Sequence, residues 1–299
     1  MVEKLAVIFP IKVLCKVLGI TRSAYYCFLK GSTYQVSFDK QILLNEVKII
    51  FDKHRKRYGS RRIREELQDN GYKVGKYRVS SLMKEQGLVA IQPKSFVPKT
   101  TQSHPHLNRC PNLLLNEASI PQAPNKLIVG DITYLPSEER GYKVWLYMAT
   151  WMDFYTRKIV GWRVDDNMEE QLVIESLKKV IRSQQPAKGF IVHSDGGGQY
   201  ASKAFKKLIA TNKFTQSMTR KDNHYDNAHA ESLFSRFKAE LLNGGVFYGL
   251  EDAQSRTFEY IEGYYNTVRK HSSISYLSPN QFEERYWTDF YAGNVDTKN

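Results

Sequence analysis

Three carboxylates stand out by residue type and placement: Asp131, Asp195 and Glu231. Asp131 lies in LIVGDITYL and Asp195 ends GFIVHSD, so each is expected at the C-terminal end of a short buried strand. Neighbouring strand ends in one sheet can bring two carboxylates to the same cleft. Glu231 falls in DNAHAESLFSRFKAELL, which reads as a helix after the fifth strand and can face them. Three hard oxygen ligands without a cage suit Mg²⁺ or Mn²⁺, ions that keep waters and substrate phosphates in their shells. Two such ions about 3.5–4 Å apart activate a nucleophile and stabilise the leaving oxygen of a phosphodiester, so no side-chain nucleophile is needed. Taken singly, each residue has a plainer reading. Asp131 could be a turn residue, Asp195 could open a turn at Gly196, Gly197 and Gly198, and Glu231 could be a solvated helical glutamate.

The elements that must hold these residues begin at 125. After LIVGDITYL, the runs KVWLYMATWMDFYTR and KIVGWRV read as two β-rich strands of a hairpin. EEQLVIESLKKVIRSQ is an amphipathic helix, GFIVHSD a buried strand, SKAFKKLIATN a helix and FTQSMTR a fifth strand. The carboxylate-bearing helix follows, and then one long helix, LEDAQSRTFEYIEGYYNTVRK. The order is that of an α/β core spanning 125–285, with 286–299 as a tail.

Residues 1–92 are helical in pattern instead. IKVLCKVL, Gly19, a capping Thr21 and TRSAYYCFL ending at Gly31 form a helix-turn-helix-like segment over 1–35. Over 36–92, QILLNEVKIIFDKHRKR reads as one helix broken by Tyr58 and Gly59. Ser60 is the expected cap of RRIREELQDN, and YRVSSLMKEQ ends at Gly87. The basic cluster Lys53, Arg55, Lys56, Arg57, Arg61, Arg62 and Arg64 makes this a DNA-binding module, with Arg61, Arg62, Lys76 and Arg78 as candidate contacts. Residues 93–124 read as a basic, proline-containing linker, and His104 and His106 within it as loop histidines rather than metal ligands.

The formal net charge of +13 over 299 residues fits a polyanion-binding protein. Cys15, Cys27 and Cys110 form no C-x-x-C pair, which argues against a disulfide framework and a cysteine zinc site and fits a reducing cytosol. No signal peptide and no membrane span are expected.

Asp195 and Glu231 leave 35 residues between them. Here the chain resembles the integrase and transposase superfamily with the Asp, Asp, 35-residue gap, Glu pattern. It is most similar to the catalytic OrfB-type product of the IS-three family of bacterial insertion-sequence transposases. The matching segments are GDITYL (130–135), MDFYTRKIVGW (152–162), HSDGGGQY (193–200), SMTRKDNHYDNAHAESLFSRFKAE (217–240) and YIEGYYNTVRKHSSISYLSPNQF (260–282). The resemblance implies a ribonuclease-H-like, retroviral-integrase-like α/β core with a five-stranded mixed sheet, preceded by all-α helix-turn-helix modules. It implies that Asp131, Asp195 and Glu231 are the metal ligands, for two ions per site. Lys238 matches a family position and lies two helical turns after Glu231, where a cation can contact DNA phosphate. Asn227, one turn before Glu231, could hold the carboxylate or a DNA strand. His193 and Ser194 lead into Asp195, and His193 is expected to pack beside the site. Tyr265, Asn266, Arg269 and His271 match the family's YN-x-x-R-x-H run and are either structural or DNA-facing; Arg269 is carried as a DNA candidate. Gly196 and Gly198 depart from the usual HSDRGSQY or HSDQGSQY, which predicts a looser loop. The zinc-binding His/His/Cys/Cys domain of retroviral integrases is absent from the pattern, so end recognition falls to the helical modules.

The resemblance further implies cleavage at transposon ends and strand transfer by the freed 3′-hydroxyl, through a circular intermediate. It implies double-stranded DNA partners (terminal inverted repeats and target) and a homo-oligomer on DNA. An upstream OrfA-type partner or frameshift fusion and a cytoplasmic, nucleoid-associated setting also follow. A metal nuclease acting on RNA–DNA hybrids would not need two helix-turn-helix modules, and a regulator with a dead core would not need an intact acidic triad.

Overall fold

The computed structural model describes residues 5–6, 8–31, 38–93, 110–115, 120–220 and 228–295, with backbone alone at 228–232 and 294–295. The chain divides into two compact units, Met1–Ala90 and Ile91–Asn299.

In the first unit, α1 (Ile11–Val17) and α2 (Arg22–Leu29) are separated by Gly19 at φ +65°, and Thr21 Oγ1 accepts a hydrogen bond from Ala24 N at 3.1 Å. Three further helices, α3 (Phe38–Lys53), α4 (Ser60–Asp69) and α5 (Lys76–Glu85), bury Val47, Ile50, Phe51, Ile63, Leu67, Val79 and Leu82 between them. Two boundaries differ from the sequence expectation. α3 stops at Lys53 rather than running to Arg57, with Arg55 and Lys56 both at positive φ. The cause is tertiary: the His54 ring stacks on Tyr58 at 3.6 Å and both are sealed from solvent, so the chain doubles back. The N-cap of α4 is Gly59, which makes no side-chain cap, and Ser60 is already helical.

The second unit is built on one five-stranded sheet in the order β3-β2-β1-β4-β5. Its strands are β1 (Leu127–Glu139), β2 (Tyr142–Asp153), β3 (Ile159–Asp165), β4 (Ile191–Ser194) and β5 (Thr215–Met218). The first three are antiparallel, while β4 and β5 join parallel to β1 and to each other, so the sheet is mixed. β1 and β2 are joined by Arg140 and Gly141, both at positive φ, as a tight two-residue hairpin of matching twist requires. Between β2 and β3, the Asp153 carboxylate accepts hydrogen bonds from the amides of Tyr155, Thr156 and Asn125 and from the Thr156 hydroxyl.

Side-chain alternation divides β1 between two cores. Ile128 faces a cluster with Trp151, Val192, Leu177 and Val180 of α6 (Glu170–Gln184) and Phe205 of α8 (Lys203–Thr211); a short α7 (Gly198–Ala201) precedes α8. Val129 and Leu135 face the other cluster, which includes Phe234 and Phe237 of α9 (Ala228–Leu242) and Ala253 of α10 (Gly249–Phe258).

The expected long helix after α9 is not uniform. α10 passes into a π-helical stretch, Glu259–Tyr265. Tyr260 and Tyr265, five residues apart, share the buried side there, a spacing that π-turns match and α-turns do not. The last helix, α11 (Pro279–Val295), crosses the expected 285 boundary without a break. Phe282 and Tyr286 both pack on Tyr155, so 286–295 is helix rather than tail. Most of 93–124 lies outside the described residues, His104 and His106 included. Where 110–115 is described it is bonded to β5, by Met218 N to Pro111 O and Leu113 N to Ser217 Oγ. No helix of the described residues is long and apolar enough to cross a membrane.

Candidate active site

The parallel ladder between β1 and β4 runs from Leu127↔Ile191 to Gly130↔Ser194. One step further in the same register, Asp131 comes opposite Asp195. Paired strands lie about 4.8 Å apart, so the two residues sit on neighbouring chains just past the end of the ladder. β4 ends at Ser194, so Asp195 lies one residue beyond its strand rather than at its last position. Asp131 is the fifth residue of the 13-residue β1, which continues past it in the hairpin with β2, where Asp131 lies opposite Thr150. The position is a strand end only relative to β4.

Each carboxylate accepts a hydrogen bond from a backbone amide. Asp131 Oδ1 accepts from Ile132 N at 2.8 Å, and Asp195 Oδ1 accepts from Gly197 N at 3.0 Å. By alternation Asp131 faces the α9 side of the sheet, between Val129 and Leu135. Lys238 of α9 is close enough for the Asp131 charge to act on it. Burial lowers the lysine's pKa, and the negative charge of Asp131 opposes that shift. Glu231 lies on the same helix, two turns before Lys238, so the two positions share a helical face. Only its backbone is described. Asn227 lies outside the described residues.

Tyr200 had no assigned role in the sequence. It sits on α7, five residues after Asp195, and is 1% exposed. Its hydroxyl has no hydrogen-bond partner among the described residues. Its pKa is raised well above the ordinary phenol value, first by burial and then by the charges of Asp131 and Asp195. The only sequence signal was its place in HSDGGGQY, and an aromatic residue there reads as core.

Two carboxylates on adjacent chains at the end of one ladder are hard oxygen donors of the kind that suits a divalent cation. Among the described side chains no group of three His, Cys, Asp or Glu is placed to hold a metal ion. Of the three expected ligands, the side chains of Asp131 and Asp195 are described and that of Glu231 is not. His193 is sealed beneath them, its Nδ1 2.8 Å from Ser217 Oγ on the neighbouring strand, and so belongs to the sheet.

Arg269 does not reach the surface. It is 1% exposed, and its guanidinium is bound bidentately to Glu240 of α9, Nε to Oε2 at 2.8 Å and Nη2 to Oε1 at 2.7 Å. Tyr260 donates to the same carboxylate at 2.8 Å. Asn266 also turns inward, its amide oxygen accepting from Ile159 N and its amide nitrogen donating to Ile159 O. The YN-x-x-R-x-H run is therefore interior framework, and the expectation of a DNA contact at Arg269 is corrected by its burial.

In the first unit, Arg61 and Arg78 are exposed. Arg62 lies over the Tyr58 ring at 5.4 Å and Lys76 over the Tyr77 ring at 5.4 Å, both half-buried. The basic cluster is less open than its sequence suggests: Arg57 is buried, Lys53 pairs with Glu66, and Arg64 contacts Glu65.

Two models of an integrase core domain match residues 121–224 and 212–279, and a model of an HTH-like domain matches 38–96. The chain is 37% identical over 273 residues to the insertion element IS600 uncharacterized 31 kDa protein of Shigella sonnei, covering 91% of this chain and 98% of that one. It is 37% identical over 246 residues to the transposase for insertion sequence element IS904 of Lactococcus lactis, covering 82% and 95%. Transposase InsF for insertion sequence IS3A of Escherichia coli K12 is 33% identical over 287 residues, covering 95% and 97%.

Proposed function

The chain belongs to the IS3 family of insertion-sequence transposases, and on that premise we propose that Asp131, Asp195 and Glu231 form its catalytic centre for cutting and joining insertion-sequence ends. The observation that supports this most directly is the ladder register: its last β1–β4 pair is Gly130↔Ser194, the residues that immediately precede Asp131 and Asp195. In both aspartates a backbone amide fixes the Oδ1 atom. Divalent ions, Mg²⁺ or Mn²⁺ and two per site, supply activation of the attacking water or 3′-hydroxyl and stabilisation of the leaving oxygen. Lys238 brings its charge to the Asp131 side of the cleft, where it holds a phosphate near the scissile bond. Arg61, Arg62, Lys76 and Arg78 lie in the stretch matched by the HTH-like domain and hold the terminal inverted repeats of double-stranded DNA.

Hydrolysis of one strand frees a 3′-hydroxyl, and attack by that hydroxyl on a second phosphodiester joins the ends and later the target. Holding two ends at once calls for more than one copy of the chain on DNA, alone or with an upstream OrfA-type partner. Work on chromosomal DNA sets this in the bacterial cytoplasm, at the nucleoid. The test is strand transfer on a labelled duplex carrying the element's terminal repeat, with Mg²⁺, Mn²⁺ or EDTA. Asp195→Asn and Glu231→Gln are expected to keep end binding and lose cleavage and joining. Persistent cleavage in either variant would remove that residue from the centre.

A further inference from the structure

We propose that α8 is the surface of the second unit that carries target DNA, its lysines holding the phosphodiester backbone of a duplex without regard to sequence. The proposal rests on the strand-transfer reading above, which requires a target duplex. Between Asp195 and Asp222 the chain has six basic residues, Lys203, Lys206, Lys207, Lys213, Arg220 and Lys221, and no acidic one. The chain as a whole carries 31 acids to 44 bases, so this run is one-sided where the rest is mixed. The helix gives the run a shape. It starts at Ser202, whose Oγ accepts from Phe205 N at 3.1 Å, and it buries Phe205 and Ile209 in the core. Lys203, Lys206 and Lys207 are three and four residues apart, so they share the face turned away from that pair. Lys203 and Lys207 are exposed, and so is Lys213, just past the helix end. Ala204, Ala210 and Thr211, exposed on the same helix, are too short to hold a duplex off.

Topology sets the direction of this track. β4 and β5 are parallel neighbours, so the chain between them returns from the aspartate end of β4 to the start of β5. Lys203 therefore lies toward the aspartate end, and Lys213, two residues before β5 begins at Thr215, toward the other. At 1.5 Å per residue the two are about 15 Å apart. That is the rise of about four base steps along one DNA strand. A duplex laid along α8 thus meets lysines in succession, on a line that starts at the aspartate end. Lysine is a flexible point charge that grips phosphate without a fixed geometry. Contacts of this kind position DNA and read no bases. They suit a target duplex rather than the terminal repeat, which the proposal above gives to Arg61, Arg62, Lys76 and Arg78 of the first unit.

The experiment uses the full chain, a pre-cleaved terminal-repeat duplex as donor and an unrelated duplex as target. Wild type is compared with the combined variant Lys203→Gln, Lys207→Gln, Lys213→Gln and with each single change. Glutamine forms helix about as well as lysine, and the positions are exposed, so the fold is kept. Binding of the unrelated duplex is followed by fluorescence anisotropy in EDTA across a salt series. Joining is measured with Mn²⁺ while target and donor concentrations are varied in turn. The combined variant is expected to lower the log–log salt slope by about 3, and each single change by about 1. The half-saturating target concentration should rise, and that of the donor should stay at its wild-type value. A combined variant with the wild-type slope overturns the proposal. So does a half-saturating donor concentration that rises as much as the target's, which would make α8 a surface for the ends. Asp195→Asn separates the two readings: if it still joins DNA, the catalytic centre is wrong, while the slope in EDTA still decides whether α8 holds the duplex.

Discussion

A methyl group added at Gly130 would sit 2.2 Å from Trp151 Cε3 and 2.4 Å from Cζ3. Trp151 cannot give way easily, because it is fully buried and its indole nitrogen donates to Ser176 Oγ at 2.9 Å. The glycine before Asp131 is thus a packing requirement that sets where the carboxylate emerges. Gly130→Ala is expected to destabilise the core by about 1–3 kcal/mol through overpacking. Cleavage should fall more than the remaining folded fraction explains, since Asp131 moves with the strand. Thermal unfolding and strand cleavage on the same samples check this; a variant of wild-type stability would show that the tryptophan relaxes. Lys238 makes the opposite case, a charge kept where burial disfavours it. Lys238→Ala is expected to cost little stability, while strand transfer falls about 10- to 100-fold, the worth of one charge-assisted hydrogen bond of about 1.5–3 kcal/mol. An unchanged strand-transfer rate would make it an ordinary half-buried lysine.

At the scale of elements, α9 carries Glu231 and Lys238, both proposed for the site, and the Glu240 carboxylate that Arg269 and Tyr260 hold from the chain after it. A buried bidentate pair of this kind is a bolt: removing one partner leaves the other charged in the core. Arg269→Met is expected to destabilise the second unit by about 3–5 kcal/mol. Arg269→Met combined with Glu240→Leu should recover most of that loss, measured by urea unfolding. A single variant losing under about 1 kcal/mol would mean that water reaches Glu240 once the arginine is gone. This pair also marks where sequence reasoning stops. An arginine reads as a surface cation, and nothing in the 28 residues between Glu240 and Arg269 announces their pairing. The strands, by contrast, were legible from apolar runs and turn residues, and their order along the chain followed, but Asp131 lies inside β1 and Asp195 one residue past β4. The length of β1 was not, because its second half is held by β2 rather than by its own apolar pattern. The break after Lys53 was equally hidden, since it depends on His54 stacking on Tyr58.

For the whole molecule, the excess of 44 Lys and Arg over 31 Asp and Glu has to be shared between recognising ends and holding the reacting phosphates. Phosphate contacts release counterions, so end binding should weaken steeply with salt, with a slope in log–log form of about −0.9 per phosphate neutralised. The two units then make separable contributions to that slope. Arg61→Ala and Arg78→Ala, both exposed in the first unit, should each reduce the slope by about 1 and weaken binding to specific and unrelated duplexes alike. Asp195→Asn in the second unit removes a negative charge and is expected to leave the slope intact. Fluorescence anisotropy on a terminal-repeat duplex across a salt series measures all three. A slope unmoved by both arginine changes would shift end binding away from α4 and α5. A slope reduced by only one would identify which helix lies against the backbone. If binding is lost for the terminal repeat but kept for an unrelated duplex, the arginine reads a base edge instead, and the same unit supplies specificity as well as charge.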